Sequence, residues 1–195
     1  MILFLDTETT GLYPGNVCQL SYVLQGVYGA VGRNLFFTVD SVEYGAYKVH
    51  GFTPEKLRVL SCGKRFNDLI GLIDADLSSA DTVVCHNSAF DVMCLRAEFE
   101  RAGMDLPIVE TFCTMKKSVE ICRIPRGRGC GYKYPKLGEL CEFYGITQKE
   151  IARATEKLFG AECGFHDARF DTAALYLAAN RGMDNGYYAE LKAKL

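Results

Sequence analysis

Nothing in this sequence is long and apolar enough to span a bilayer: no hydrophobic run approaches the ~18 residues that a membrane helix requires. The N-terminal MILFLD places no basic region ahead of its five apolar residues, which speaks against a secretory signal and for a cytoplasmic protein. No C-x-x-C pair occurs, and that removes the usual spacing of a structural zinc site. Internal repeats, low-complexity tracts and Pro-rich linkers are also missing, so a single domain over residues 1–195 is the simplest organisation. Net charge is only −2, and overall charge therefore gives no argument for nucleic-acid binding.

What is present is an ordinary globular composition, 49 % hydrophobic and 24 % charged. The nine cysteines are scattered, several inside apolar runs such as Thr82-Val83-Val84-Cys85 and Met93-Cys94-Leu95. Buried free thiols in a reducing compartment account for them; Cys122, Cys130 and Cys163 are the one trio that folding could bring together. Charge is uneven locally. Lys116, Lys117, Arg123, Arg126, Arg128, Lys133 and Lys136 face Glu120 alone in a stretch of 21 residues. Such a +6 cluster can hold phosphates, or be a solvated loop.

Apolar patterning predicts a buried strand over Ile2–Leu5, further strands over Gln19–Gln25 and Arg33–Val39, and short loops that imply an antiparallel meander. Thr53-Pro54 reads as a helix start, and a helix is expected from about Lys64 to Ile73. Thr82–Cys85 reads as a fourth strand, followed by a His86-Asn87 turn and a helix capped by Ser88 and stopped by Gly103. A short strand near Ile108–Glu110 precedes helices over Pro135–Tyr144, Ile151–Leu158 and Asp167–Ala179. Strands first, then strand–helix alternation, describe an α/β class with a mixed sheet flanked by helices.

Asp6 and Glu8 flank Thr7 directly after the first strand. In extended chain they point to one side, where two carboxylates repel unless a cation lies between them. Strand-ending acids without a metal are the alternative. Asp91 lies in His86-Asn87-Ser88-Ala89-Phe90-Asp91, where Ser88-x-x-Asp91 also fits a capping box. On a continuous helix His166 and Asp171 would be about 140° apart. A shared site therefore requires His166 in the loop before the helix and Asp171 in its first turns.

Together these segments resemble the motifs of the DEDDh (DnaQ-like) 3′→5′ exonuclease family, which includes polymerase proofreading subunits, ribonuclease T and oligoribonuclease. Phe4-Leu5-Asp6-Thr7-Glu8-Thr9-Thr10-Gly11-Leu12 is similar to the first motif, His86 to Asp91 to the second, and His166-x-Ala168-x-x-Asp171 to the third in its histidine form. Val49-His50-Gly51-Phe52-Thr53 and Lys136-Leu137-Gly138-Glu139-Leu140 resemble its intervening segments. The resemblance implies a ribonuclease H-like fold with a mixed five-stranded sheet. It also implies two divalent ions, Mg²⁺ or Mn²⁺, on Asp6, Glu8, Asp91 and Asp171, with His166 as general base. Thr9, Gly11 and Leu12 would line the 3′-terminal nucleotide, with Asn87 and Phe90 beside the cleft and His50 shaping its turn. Asp167 matches no ligand position and is expected at the surface. Arg126 and Arg128, with Tyr132 and Tyr134, would hold the upstream strand. The expected partners are single-stranded DNA or RNA 3′ ends, with a DNA polymerase or a second copy as further possibilities. With 24 residues following Asp171, no polymerase domain is expected in this sequence. Two other readings stay open at this level: a haloacid-dehalogenase-type phosphatase with Asp6 as nucleophile, and a non-enzymatic nucleic-acid binder.

Overall fold

A computed structural model describes residues 1–12, 15–127 and 129–195. The chain forms one five-stranded sheet from β1 (Ile2–Thr9), β2 (Val17–Gly26), β3 (Gly29–Phe36), β4 (Thr82–Cys85) and β5 (Thr111–Cys113), in the order β3-β2-β1-β4-β5. β1, β2 and β3 are antiparallel neighbours; β4 runs parallel to β1, and β5 parallel to β4. The helices in chain order are α1 (Tyr44–His50), α2 (Pro54–Leu60), α3 (Phe66–Ser78), α4 (Ser88–Arg101), α5 (Thr114–Lys117), α6 (Val119–Cys122), α7 (Leu137–Phe143), α8 (Gln148–Phe159), α9 (Ala168–Asp184) and α10 (Ala189–Lys192). Among the described residues, no helix is long and apolar enough to cross a membrane.

The mixed sheet agrees with the sequence reading, with local shifts. β3 lies earlier than expected and β5 later. Pairing sets both: Gly26 and Gly29 are partners at the β2–β3 hairpin, and β5 takes its register from Val83–Cys85 of β4. α3 begins and ends later than expected because its apolar face, Phe66, Ile70, Ile73 and Leu77, extends to the end of the helix. α1 escaped the sequence reading; none of its residues is buried, so it carries no apolar stripe. Thr53 caps α2 as anticipated, accepting from the amide of Lys56. Ser88 does not cap α4. Asn87 occupies that position at φ 85°, and Ser88 is already helical.

The core has two main layers, one on each face of the sheet. Leu3 and Leu5 of β1 face α3 and α4, packing with Ile73, Leu77, Leu95 and Phe99. Ile2 and Phe4 face the other way, onto Leu175, Ala179 and Met183 of α9. This alternation is the period-two geometry of a strand. Carried two residues further, it turns Asp6 and Glu8 toward α9 and Thr7 toward α4.

Candidate active site

The acidic cluster lies where β1 leaves the core. Carboxylate oxygens of Asp6, Glu8 and Asp171 lie within 4.8 Å of one another. Asp6 and Glu8 reach this point from one face of β1, and Asp171 from the first turn of α9. Asp91 approaches from the opposite side, in the first turn of α4. Its Oδ1 accepts from the hydroxyl of Thr7 at 2.9 Å and from the Thr7 amide at 3.2 Å, and it stands outside the 4.8 Å group. These bonds replace the capping box expected for Ser88 and Asp91.

Crowded carboxylates in a dry setting resist ionisation. Burial, then the charges of Asp171, Asp91, Glu8 and Asp167, hold Asp6 well above the usual carboxylate range. Burial and the charges of Asp171, Asp167 and Asp91 push Glu8 up to about 8. Asp91 is raised to about 7 by burial, against the stabilising bonds from Thr7. Burial raises Asp171 to about 7 as well, opposed by the His166 amide. Such oxygen-only donors, costly to ionise unless a cation joins them, suit a hard divalent metal.

Two clefts flank the cluster. One, of about 500 Å³, is lined by Asp6, His86, Leu137, Gly138, Phe165, His166 and Asp171, among others. His166 lies outside α9 at φ 68°, in the loop position that the sequence argument required, and its side chain is exposed. The other cleft, of about 360 Å³, is lined by Thr7, Glu8, Thr9, Gly11, Leu12, Val49, His50 and Phe90, with Glu43, Gly45 and Ala46. Leu12 is 68 % exposed, although apolar, and stands free at the rim. A β-bulge lies along the wall of this second cleft: Glu8 pairs with Gln19, but Thr9 pairs with Val17.

His50 fixes the rim of this second cleft. Its Nδ1 accepts from the Phe52 amide at 3.0 Å, so Nε2 carries the proton and donates to the Thr9 carbonyl at 3.2 Å. Burial lowers its pKa, which favours this neutral form. Asn87 lines neither cleft; its side chain is exposed and its carbonyl accepts from Phe90. Arg126 is exposed in a ribbon bridged by Pro125 and Tyr132, and its Nε donates to the Tyr132 carbonyl. Arg128 lies outside the described residues. Two cations of the basic stretch are paired, Lys117 with Glu190 and Lys133 with Glu139.

Asp167 departs from the sequence expectation. It is buried, not exposed, and caps α9 by accepting from the Arg169 amide. Asp is a favoured N-cap residue, and that signal was available in the sequence. Gln19, fully buried beside Asp167, carried no motif that would have marked it.

No family model matches the chain. It is 29 % identical over 132 residues to DNA polymerase III subunit epsilon of Buchnera aphidicola, covering 62 % of this chain and 53 % of that protein. Against the subunit of the same name from Escherichia coli K12 the identity is 29 % over 203 residues, covering 96 % and 74 %. Among solved structures, a zinc-bound complex of Escherichia coli exonuclease I with single-stranded DNA has a TM-score of 0.75 at 16 % identity, covering 98 % of this chain and 42 % of that one. Exonuclease I from Methylocaldum szegediense has a TM-score of 0.71 at 17 % identity, covering 94 % and 40 %. The chain thus spans about half the length of the Buchnera subunit and less than half of the exonuclease I chains. The structural likeness shows a shared α/β fold of the ribonuclease H-like kind. In sequence the chain is thus similar to the epsilon subunits, and in fold to exonuclease I, with the three motifs that resemble the DnaQ-like exonucleases set on that fold.

Proposed function

We propose that the protein is a metal-dependent 3′→5′ exonuclease that releases nucleoside 5′-monophosphates from single-stranded DNA or RNA ends. The observation that carries this reading is the convergence of Asp6, Glu8 and Asp171 within 4.8 Å, between a cleft that holds His166 and one rimmed by Leu12. Asp6, Glu8, Asp91 and Asp171 would hold two divalent ions, Mg²⁺ or Mn²⁺. Bound there, such a pair supplies Lewis acidity to the attacking water and to the departing 3′ oxygen. Four ionised carboxylates match the charge of two divalent cations, which offsets the cost of ionising them in a buried cluster.

His166 takes the proton of the attacking water, and its place on a loop lets it approach as substrate binds. Thr9 and Gly11 line the 3′-terminal nucleotide, and Leu12 and Phe90 pack on its base. Apolar packing on a base face is tolerant of sequence, so base preference is weak. Asn87 acts through its left-handed turn, which aims α4 and Asp91, and Arg126 and Arg128 hold the upstream strand. The cytoplasm is the proposed compartment, which the buried thiols of Cys85, Cys94 and Cys141 support. A DNA polymerase or a second copy of the chain is the further protein partner to test.

The test is digestion of 5′-labelled single-stranded DNA, single-stranded RNA and mismatched primer–template, with Mg²⁺, with Mn²⁺ and with chelator. A metal-dependent ladder shortening from the 3′ end is expected. Absence of cleavage on every substrate, or cleavage that survives chelation, overturns the proposal.

A further inference from the structure

We infer that Gln19, Asp167 and Arg169 form a largely buried clamp that sets the position of His166, which makes them positioning residues for the reaction. The inference rests on the exonuclease reading for its catalytic meaning, while the clamp itself can be tested without activity. Gln19 is fully buried on β2, directly across the ladder from Glu8. Its side-chain hydrogen bonds meet the start of α9 and the neighbouring strand. Oε1 accepts from the Ala168 amide at 3.1 Å, and Nε2 donates to Asp167 Oδ1 at 2.9 Å and to Asn34 Oδ1 at 2.8 Å. Asp167 is gripped from its other side by Arg169, whose Nε and terminal nitrogen reach the two carboxylate oxygens at 2.8 and 2.7 Å. The Arg169 guanidinium in turn lies over the Phe36 ring at 5.4 Å.

An ordinary N-cap requires only the bond from the Arg169 amide, which Asp167 already accepts at 3.1 Å. The remaining bonds bury an ion pair and a primary amide, and their desolvation leaves little net stability. What they do is remove freedom from the two residues that follow His166. Phe165, which precedes it, packs edge-on to Phe170 at 4.8 Å. His166 itself adopts φ 68°, and its amide donates to Asp171 at 2.9 Å. The backbone on both sides is therefore held while the imidazole projects into the cleft. A base displaced by about 1 Å loses on the order of 10²-fold in rate, so such anchoring has a catalytic consequence.

The experiment compares wild type, Gln19→Leu, Asp167→Asn, His166→Ala and the Asp167→Asn/His166→Ala double variant, each as the full chain. Asp167→Asn keeps the side-chain shape and carries the test if Gln19→Leu does not fold. The expected result is a fall in kcat of about 10- to 100-fold for Gln19→Leu and Asp167→Asn, the size seen when supporting partners of a site are removed. KM, and Mg²⁺ binding by calorimetry, should stay within about twofold, and the double variant should lose less than about twofold beyond His166→Ala alone. Wild-type kcat in the folded single variants, or losses that multiply in the double variant, overturns the inference. Hydrogen exchange at the His166 amide reads the clamp separately: it should accelerate in Asp167→Asn, and unchanged exchange refutes the clamp. If wild type cleaves nothing, the exonuclease reading fails while the exchange measurement still decides the clamp.

Discussion

The backbone amide of His166 donates to Oδ2 of Asp171, five residues on, at 2.9 Å. One carboxylate thus faces the acidic cluster and also holds the loop that carries the proposed base. Asp171→Asn keeps an acceptor for the amide but removes the charge, whereas His166→Ala keeps both the amide bond and the charge and removes only the imidazole. Asp171→Asn should weaken Mg²⁺ binding by about 10²-fold or more, exceeding the effect of losing a ligand's supporting partner. His166→Ala should bind Mg²⁺ normally and lose most turnover. Calorimetric titration paired with a cleavage assay separates the two, and full turnover in His166→Ala would remove it from the mechanism.

The carboxylate cluster predicts a stability that depends on pH and metal together. Without metal, Glu8 is raised to about 8, and Asp91 and Asp171 to about 7. A raised acid holds its proton in the folded state after the unfolded chain has released it. Stability is therefore complete below about pH 4, falls as pH rises through about 7 to 8, and then levels off. The loss should amount to roughly a few kcal/mol, and millimolar Mg²⁺ should abolish it by binding the ionised form. Thermal melts from pH 4 to pH 9, with and without Mg²⁺, measure this; a flat metal-free profile contradicts it.

Gly32, on the edge strand β3, lies against the carbonyl of Leu158 at the end of α8. A Cβ there would fall 2.4 Å from that oxygen, a backbone atom that cannot swing aside. Gly32→Ala should cost about 1–3 kcal/mol through overpacking. Urea denaturation reads the loss, and an unchanged midpoint would show that α8 shifts freely.

For the basic ribbon, Arg126→Glu should weaken binding of single-stranded oligonucleotides and flatten its salt dependence. Each phosphate contact adds about 0.7 to the slope of log K against log salt on single strands, so a decrease of at least that size is expected. Fluorescence anisotropy across a salt series gives the slope; an unchanged value would leave Arg126 as a surface charge bonded to Tyr132.

Alternation along β1 was legible in the sequence, because strand periodicity depends only on neighbouring residues. It turned Asp6 and Glu8 to one side before any tertiary contact was known. The loop position of His166 followed equally from helical geometry. Asp171 could be matched to them through the motif resemblance, although nothing local joins residues 6 and 171. The buried place of Asp167 was missed because exposure depends on what packs above a residue, here Gln19 from another strand.

The sequence by itself therefore determined the strands of the sheet, the side to which its first acids point, and the motif set that resembles the DnaQ-like exonucleases. Tertiary structure alone decided that Asp91 of α4 bonds Thr7 of β1, that His50 holds the Thr9 carbonyl, and that Gln19 grips the start of α9. The physical reason is range: periodicity and capping act over a few residues, whereas these bonds join residues 41 to 149 positions apart, brought together only when both core layers close.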